Sequence, residues 1–192
     1  MMAALACGRS KTGGFSACEL NILNGTDSIM RVLTIEDSLD NVVLRAASHD
    51  FSLEELMSDE FKKLERMMIA TVTHPSQDGV GIAGPQVGLN RRIVAVQRFD
   101  KTGEPFEVYA NVRIVWLSDS LAYGPEGCLS VPDRRGNVLR SQQIVIEYAD
   151  LASQSHSCDD IPMARDTVSG FTAVIFQHEI DHLEGVLYID RL

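Results

Sequence analysis

The stretch Gln177-His178-Glu179-Ile180-Asp181-His182 carries two histidines four residues apart, with a glutamate directly after the first. On a helix, positions 178 and 182 share a face about one turn apart. Two imidazoles so placed can hold one metal ion, and Glu179 between them can act on a water at that ion. The residues before the motif decide where such a helix must sit. Gly170-Phe171-Thr172-Ala173-Val174-Ile175-Phe176-Gln177 is too apolar for an exposed helix. Phe171, Val174, Ile175, His178 and His182 recur at i, i+3, i+4, i+7 and i+11, so the histidines continue the apolar stripe. Ser169 or Thr172 can cap the start, and Gly185 can stop the helix. The sequence predicts a buried helix with two imidazoles on its core face. Buried imidazoles are costly when unpaired, and one shared ion satisfies both.

A catalytic metal takes three protein ligands and keeps one position open. HExxH peptidases draw the third from downstream, but here Tyr188 stands six residues after His182, and Glu184 points off the stripe. An upstream ligand is expected. Of the four cysteines, Cys7 and Cys18 lie in a Gly/Ser-rich stretch and form no CxxC pair, and Cys158 sits in polar Ser-His-Ser-Cys-Asp-Asp. Cys128 stands in Gly124-Pro125-Glu126-Gly127-Cys128-Leu129-Ser130-Val131-Pro132, a turn-rich segment of defined backbone geometry. A lone cysteine is commonly a buried, inert residue. The unfilled ligand position gives Cys128 a second reading.

Glu126-Gly127-Cys128-Leu129-Ser130 together with the HExxH segment resembles peptide deformylase. Gly79-Val80-Gly81-Ile82-Ala83-Gly84-Pro85-Gln86 resembles that family's GxGxAAPQ motif, with Gly84 in place of the second alanine, a change expected to loosen the strand locally. The three motifs occur in the family's order, and the similarity runs from about Val32 to Leu192. The resemblance implies that Cys128, His178 and His182 bind one divalent metal ion, Fe²⁺ in the cell, with Zn²⁺, Ni²⁺ or Co²⁺ also suited to such donors. It implies oxygen sensitivity for an exposed iron–thiolate pair. Glu179 becomes the general base and acid, and the Gln86 side chain and Leu129 backbone N–H become oxyanion donors. The substrates implied are N-formyl-methionyl nascent peptides, bound as an added strand near Val80, Gly81 and Gly84. Val174 would line the methionine pocket, and Arg135 would contact the downstream peptide or form a surface salt bridge.

The rest of the chain fits one domain. Its 192 residues are enough for a proper core. A hydrophobic share of 45% with 23% charged residues is ordinary for a globular protein. A net charge of −10 with no basic run argues against a nucleic-acid surface, leaving only a small local patch for ribosome contact. No apolar run approaches the roughly 20 residues of a membrane span. A cytoplasmic monomer is expected. Residues 1–30 read as an extension, poorly ordered unless something packs on it, and residues 31–192 as the catalytic domain. The opening is too short for a signal peptide and has no basic start. Leu5-Ala6-Cys7 leaves a lipoprotein reading, Arg9 and Lys11 leave an organelle-targeting one, and Met30 is an alternative start.

Within the domain, a long amino-terminal helix is expected from Ser52 to about Thr73, with Ser52 and Glu55 as a capping box and Ser58 as a second possible start. Leu64, Met67, Met68 and Thr71 form its apolar stripe, and His74-Pro75 ends it. Strands are expected over 91–97, within 107–117 with Asn111 near a turn, and over 142–148 in antiparallel pairing. Residues 150–166 read as polar and irregular, and 186–189 as a short strand or packed tail. The fold class is α+β, with antiparallel strands around a central carboxy-terminal HExxH helix. Two other functions compete: a HExxH peptidase, in which Cys128 would be idle, and a deformylase-like binding protein without turnover, which Gly84 and the 150–166 segment would permit.

Overall fold

The computed structural model describes residues 14–25, 29–152 and 160–192. The HExxH segment lies on α5 (Gly170–Leu183), the helix on which the other elements are assembled. Among the described residues four α-helices come first: α1 (Ala17–Asn24), α2 (Ser38–Leu44), α3 (Leu53–Leu56) and α4 (Asp59–Val72). Eight strands follow: β1 (Gly81–Ala83), β2 (Ile93–Gln97), β3 (Phe106–Ala110), β4 (Arg113–Leu117), β5 (Leu121–Cys128), β6 (Val131–Ser141), β7 (Gln143–Ala149) and β8 (Met163–Ser169). They form three antiparallel sheets, ordered β1-β2-β3, β4-β7-β8 and β5-β6. α5 packs against strands of all three, so the α+β arrangement around this helix is as expected.

β8 runs directly into α5 through Gly170, whose φ of +63° suits a residue without a Cβ. At the other end Gly185 adopts φ +72°, and a Cβ there would lie 2.4 Å from the Arg45 carbonyl oxygen. Both ends of the helix are thus fixed by glycine. Gln177 pins its middle by pairing with Ser141 like a strand: Oε1 accepts from the Ser141 N–H at 3.1 Å and Nε2 donates to the Ser141 carbonyl at 2.8 Å. Ile175, His178 and His182 are buried as the stripe predicts. Phe171 is not, being 56% exposed, and Val174 is half-buried. α5 is covered on most sides, so the first part of its stripe faces a cleft instead of the core.

Several expectations need correction. The long helix from Ser52 is two helices, because each of two serines caps its own start. Ser52 and Glu55 form the capping box of α3. Ser58 accepts from the Phe61 N–H and donates to the Glu55 carbonyl, starting α4 afresh. The expected stripe of Leu64, Met67, Met68 and Thr71 is buried on α4. The segment 124–132, expected to be turn-rich, holds the end of β5, a turn at Leu129 and Ser130, and the start of β6. Its prolines are tolerated because β5 and β6 form a two-stranded sheet with open edges. Residues 163–166, expected to be irregular, pair with β7 as the start of β8. The tail turns into a 3₁₀ helix at Tyr188–Arg191 where a strand was an option.

Within the extension, α1 packs on the main core, the condition attached to the expectation of poor order. Ser16 and Glu19 form a capping box, and Leu23 is 1% exposed in the main core beside α4. The targeting and lipoprotein readings of residues 5–11, and Cys158, lie outside the described residues. Among those described, no helix is long and apolar enough to cross a membrane.

Candidate metal centre

Two elements bring the chemistry together. The β5–β6 hairpin carries Cys128 at a register shift between Glu126 and Cys128, a bulge that re-aims the cysteine side chain. α5 carries His178 and His182. One donor atom from each of Cys128, His178 and His182 falls within 4.8 Å of the others, and Cys128 Sγ is 3.2 Å from His182 Nε2. Ligands at roughly 2.0–2.3 Å from a tetrahedral ion are themselves a few ångströms apart, so the spacing fits one ion.

His178 is oriented from behind. Its Nδ1 lies 2.8 Å from Glu126 Oε2, and Arg140 holds the same carboxylate at 2.8 and 3.0 Å. Arg140 also bonds Asp181 at 2.6 Å, which Arg191 grips in turn. Burial pushes the Glu126 carboxyl up, but hydrogen bonds from His178 and Arg140 outweigh it and bring the group down to about 2. Burial disfavours a charged His178, yet its contacts with Cys128 and Glu126 raise it to about 10. Burial and the charge of His178 drive His182 well down.

Glu179 lies against β1. A Cβ built on Gly81 would stand 2.5 Å from Glu179 Oε1, so the glycine makes room for the carboxylate. Glu179 Oε2 is buried with no hydrogen-bond partner among the described residues, as is His182 Nδ1. Burial raises Glu179 to about 7 against the lowering influence of His178, with the charge of Glu126 adding to the rise. A carboxylate oxygen left unpaired beside three metal-type donors fits a site built around an ion and its water.

Gln86 is fixed at both ends of its amide. Oε1 accepts from the Ala83 N–H at 2.8 Å, while Nε2 reaches Ser130 Oγ at 3.2 Å and Cys128 Sγ at 3.5 Å. These residues open on a cleft of about 860 Å³ whose walls include Val80, Gly81, Leu129, Arg135, Phe171 and Val174. His182, 1% exposed, does not line the cleft, and neither does Gly84. Gly84 is buried at the start of the 3₁₀ turn after β1, its carbonyl accepting from the Leu89 N–H. A Cβ there would meet the carbonyl oxygens of Arg91 at 2.6 Å and Leu89 at 2.8 Å. The glycine is thus tightly enclosed, and the expected local loosening is absent.

The polypeptide deformylase family model matches residues 29–192, a span holding every residue of this site. The chain belongs to the polypeptide deformylase family. Deformylases are metal-dependent hydrolases that remove the N-formyl group from nascent peptides, and this chain shares that reaction class. It is 40% identical over 161 residues to the peptide deformylase of Leptospira biflexa, covering 80% of this chain and 84% of the relative. A peptide deformylase 2 of Gloeobacter violaceus is 37% identical over 156 residues, covering 81% and 76%. The class I type b deformylase of Acinetobacter baumannii bound to Met-Ala-Ser superposes with a TM-score of 0.71 at 31% identity, covering 87% of this chain and all of the other. The Thermotoga maritima deformylase gives 0.71 at 30% identity, covering 86% and 99%.

Sequence reasoning did not assign the Glu126–Arg140–Asp181 relay. Glu126 was visible inside the cysteine motif, but its role depends on Arg140, which no local pattern distinguishes from a surface arginine. Tyr188, noted only as a residue that is not a third histidine, stacks on His178 with ring centroids 5.9 Å apart.

Proposed function

We propose that this chain hydrolyses the N-formyl group of initiator methionine, with Cys128, His178 and His182 holding one divalent ion. The observation that carries the reading is the unpaired Glu179 Oε2 beside the Cys/His/His donor set. When bound, the ion would supply Lewis acidity to a water and to the formyl carbonyl. Glu179, with its pKa raised to about 7, takes a proton from the attacking water and passes it to the departing amine. The water oxygen joins the formyl carbon, the C–N bond breaks, and formate and a free amino terminus leave. Gln86 Nε2 and the Leu129 N–H donate to the oxyanion that develops.

The peptide adds as a strand along β1 at Val80 and Gly81, with its methionine side chain beside Val174 and its downstream residues towards Arg135. Gly84 does not line the cleft, which favours Val80 and Gly81 over it for this role. Fe²⁺ is the proposed cellular ion, with Zn²⁺, Ni²⁺ and Co²⁺ able to occupy the same donors. The protein is read as a cytoplasmic monomer meeting its substrates at or near the ribosome, with no nucleic-acid site of its own.

The test is turnover of formyl-Met-Ala-Ser by protein purified without oxygen and loaded with Fe²⁺ or Ni²⁺, with Glu179→Ala alongside. Formate release by the wild type and not by the variant supports both the reaction and the base. A chain that holds one metal ion yet releases no formate rejects the proposal and leaves a peptide-binding protein.

A further inference from the structure

The helix α1 lies ahead of the span matched by the family model, yet it rests on the loop that carries Gln86. Gln86 sits in a 3₁₀ turn, Gly84–Val87, that ends at Gly88 with φ +87°. The turn is tied to the next residues by backbone bonds from the Leu89 N–H to Gly84 and from the Gly88 N–H to Pro85. Its packing against Arg91 is equally close, since a Cβ on Gly84 would fall 2.6 Å from the Arg91 carbonyl oxygen. Arg91 cannot move far without moving the turn.

α1 holds Arg91 in place. The guanidinium Nε donates to Glu19 Oε1 at 2.5 Å, and Nη2 donates to Glu55 Oε1 at 2.5 Å. Phe15 and Phe51 flank the cation, with ring centroids 5.7 and 5.1 Å away. Glu19, Glu55 and Arg91 are all buried. One turn along the helix, Ile22 Cδ1 stands 3.2 Å from where a Cβ on Gly88 would be, so α1 covers the end of the Gln86 turn directly.

We propose that α1 is a brace for the deformylase site, in which Glu19 and Ile22 act as positioning residues that hold Gln86 in place through Arg91 and Gly88. The inference rests on the oxyanion-donor role proposed for Gln86. A displacement of even about 1 Å in a catalytic group can cost two orders of magnitude in rate, so a modest slackening of the turn is measurable. The effect belongs in kcat, because an oxyanion donor acts on the transition state more than on the bound substrate.

The experiment uses the full-length, metal-loaded chain with Glu19→Ala, Glu19→Gln and Ile22→Ala, each alone and combined with Gln86→Leu. Glu19→Ala and Ile22→Ala are expected to lower kcat for formyl-Met-Ala-Ser about five- to tenfold, a fraction of the effect of losing the donor outright. KM should change less than about twofold. Metal content should stay at one ion per chain, and Glu19→Gln, which still accepts from Arg91, should recover most of the loss. With Gln86→Leu already present, neither alanine variant should lower kcat further. Amide exchange at Gly88 and Leu89 should quicken in both alanine variants, a readout that stands even if the wild type releases no formate. Lack of wild-type turnover would reject the deformylase role of Gln86 and leave the brace to the exchange data. Unchanged exchange in folded variants overturns the brace, as does an equal loss of kcat with and without Gln86.

Discussion

Glu126 Oε2 and His178 Nδ1 stand 2.8 Å apart, and this contact decides which ring nitrogen of His178 faces Cys128. A carboxylate accepting from Nδ1–H leaves the Nε2 lone pair for the ion. Glu126→Gln should therefore weaken metal affinity about ten- to a hundredfold, as loss of such supporting groups commonly does. Competition with a chelator of known affinity measures it. Unchanged affinity would show that the packing of His178 against Tyr188 orients the ring by itself.

Gly81→Ala should place a methyl group where the Glu179 carboxylate now lies, 2.5 Å from Oε1. Glu179 must then move, and kcat is expected to fall about a hundredfold. The melting temperature should change little, because the displaced atom belongs to the end of a side chain. Kinetics and thermal denaturation on one preparation separate the two. Near-normal kcat would mean that the position of Glu179 is not critical.

Gly84→Ala should behave in the opposite way, since the obstructing atoms are backbone oxygens of Leu89 and Arg91. Overpacking of this kind costs about 1–3 kcal/mol. For a chain of this size that lowers the melting temperature by about 2–4 °C per kcal/mol. A melting temperature equal to the wild type's would show that the 89–91 segment yields freely.

Acid should loosen the α1 clamp in a defined direction. Burial pushes the Glu19 carboxyl up, but hydrogen bonds from Arg91 and from Ser16 outweigh it and hold it below the usual carboxylate range. A depressed folded-state pKa contributes stability that is present above the unfolded value and is lost as pH falls through the folded one. Urea midpoints should thus decline below about pH 4.5, with a shallower decline in Glu19→Gln. Parallel curves for the two proteins would contradict the clamp.

Tyr188→Phe removes a buried hydroxyl that has no hydrogen-bond partner among the described residues while keeping the ring stacked on His178. Deleting an unsatisfied buried group is neutral or stabilising, by up to about 1–3 kcal/mol. Thermal denaturation checks the sign. A clear loss of stability would reveal a partner for the hydroxyl.

The site was more legible than the fold around it. The HExxH spacing and its apolar lead-in point to α5 and two candidate ligands from local pattern, and the family resemblance of the cysteine motif adds the third candidate. The β5–β6 hairpin was hidden because glycine and proline read as turn residues, whereas an open-edged two-stranded sheet tolerates them. The split between α3 and α4 was hidden because Ser52 and Ser58 are equally good caps, and both are used. α1 escaped notice for a different reason. Glu19 and Arg91 are 72 residues apart, and nothing near either one announces the other.

β1 is a three-residue strand at the edge of its sheet, and its neighbours Gly79 and Val80 line the cleft with Gly81. A peptide paired to it in the proposed manner finds main-chain partners for only a few residues, and glycine offers no side chain with which to read a sequence. Such a surface can inspect the first residue of a chain and little else. In the proposed binding mode the short edge would suit an enzyme whose substrates share a beginning and differ in everything after it.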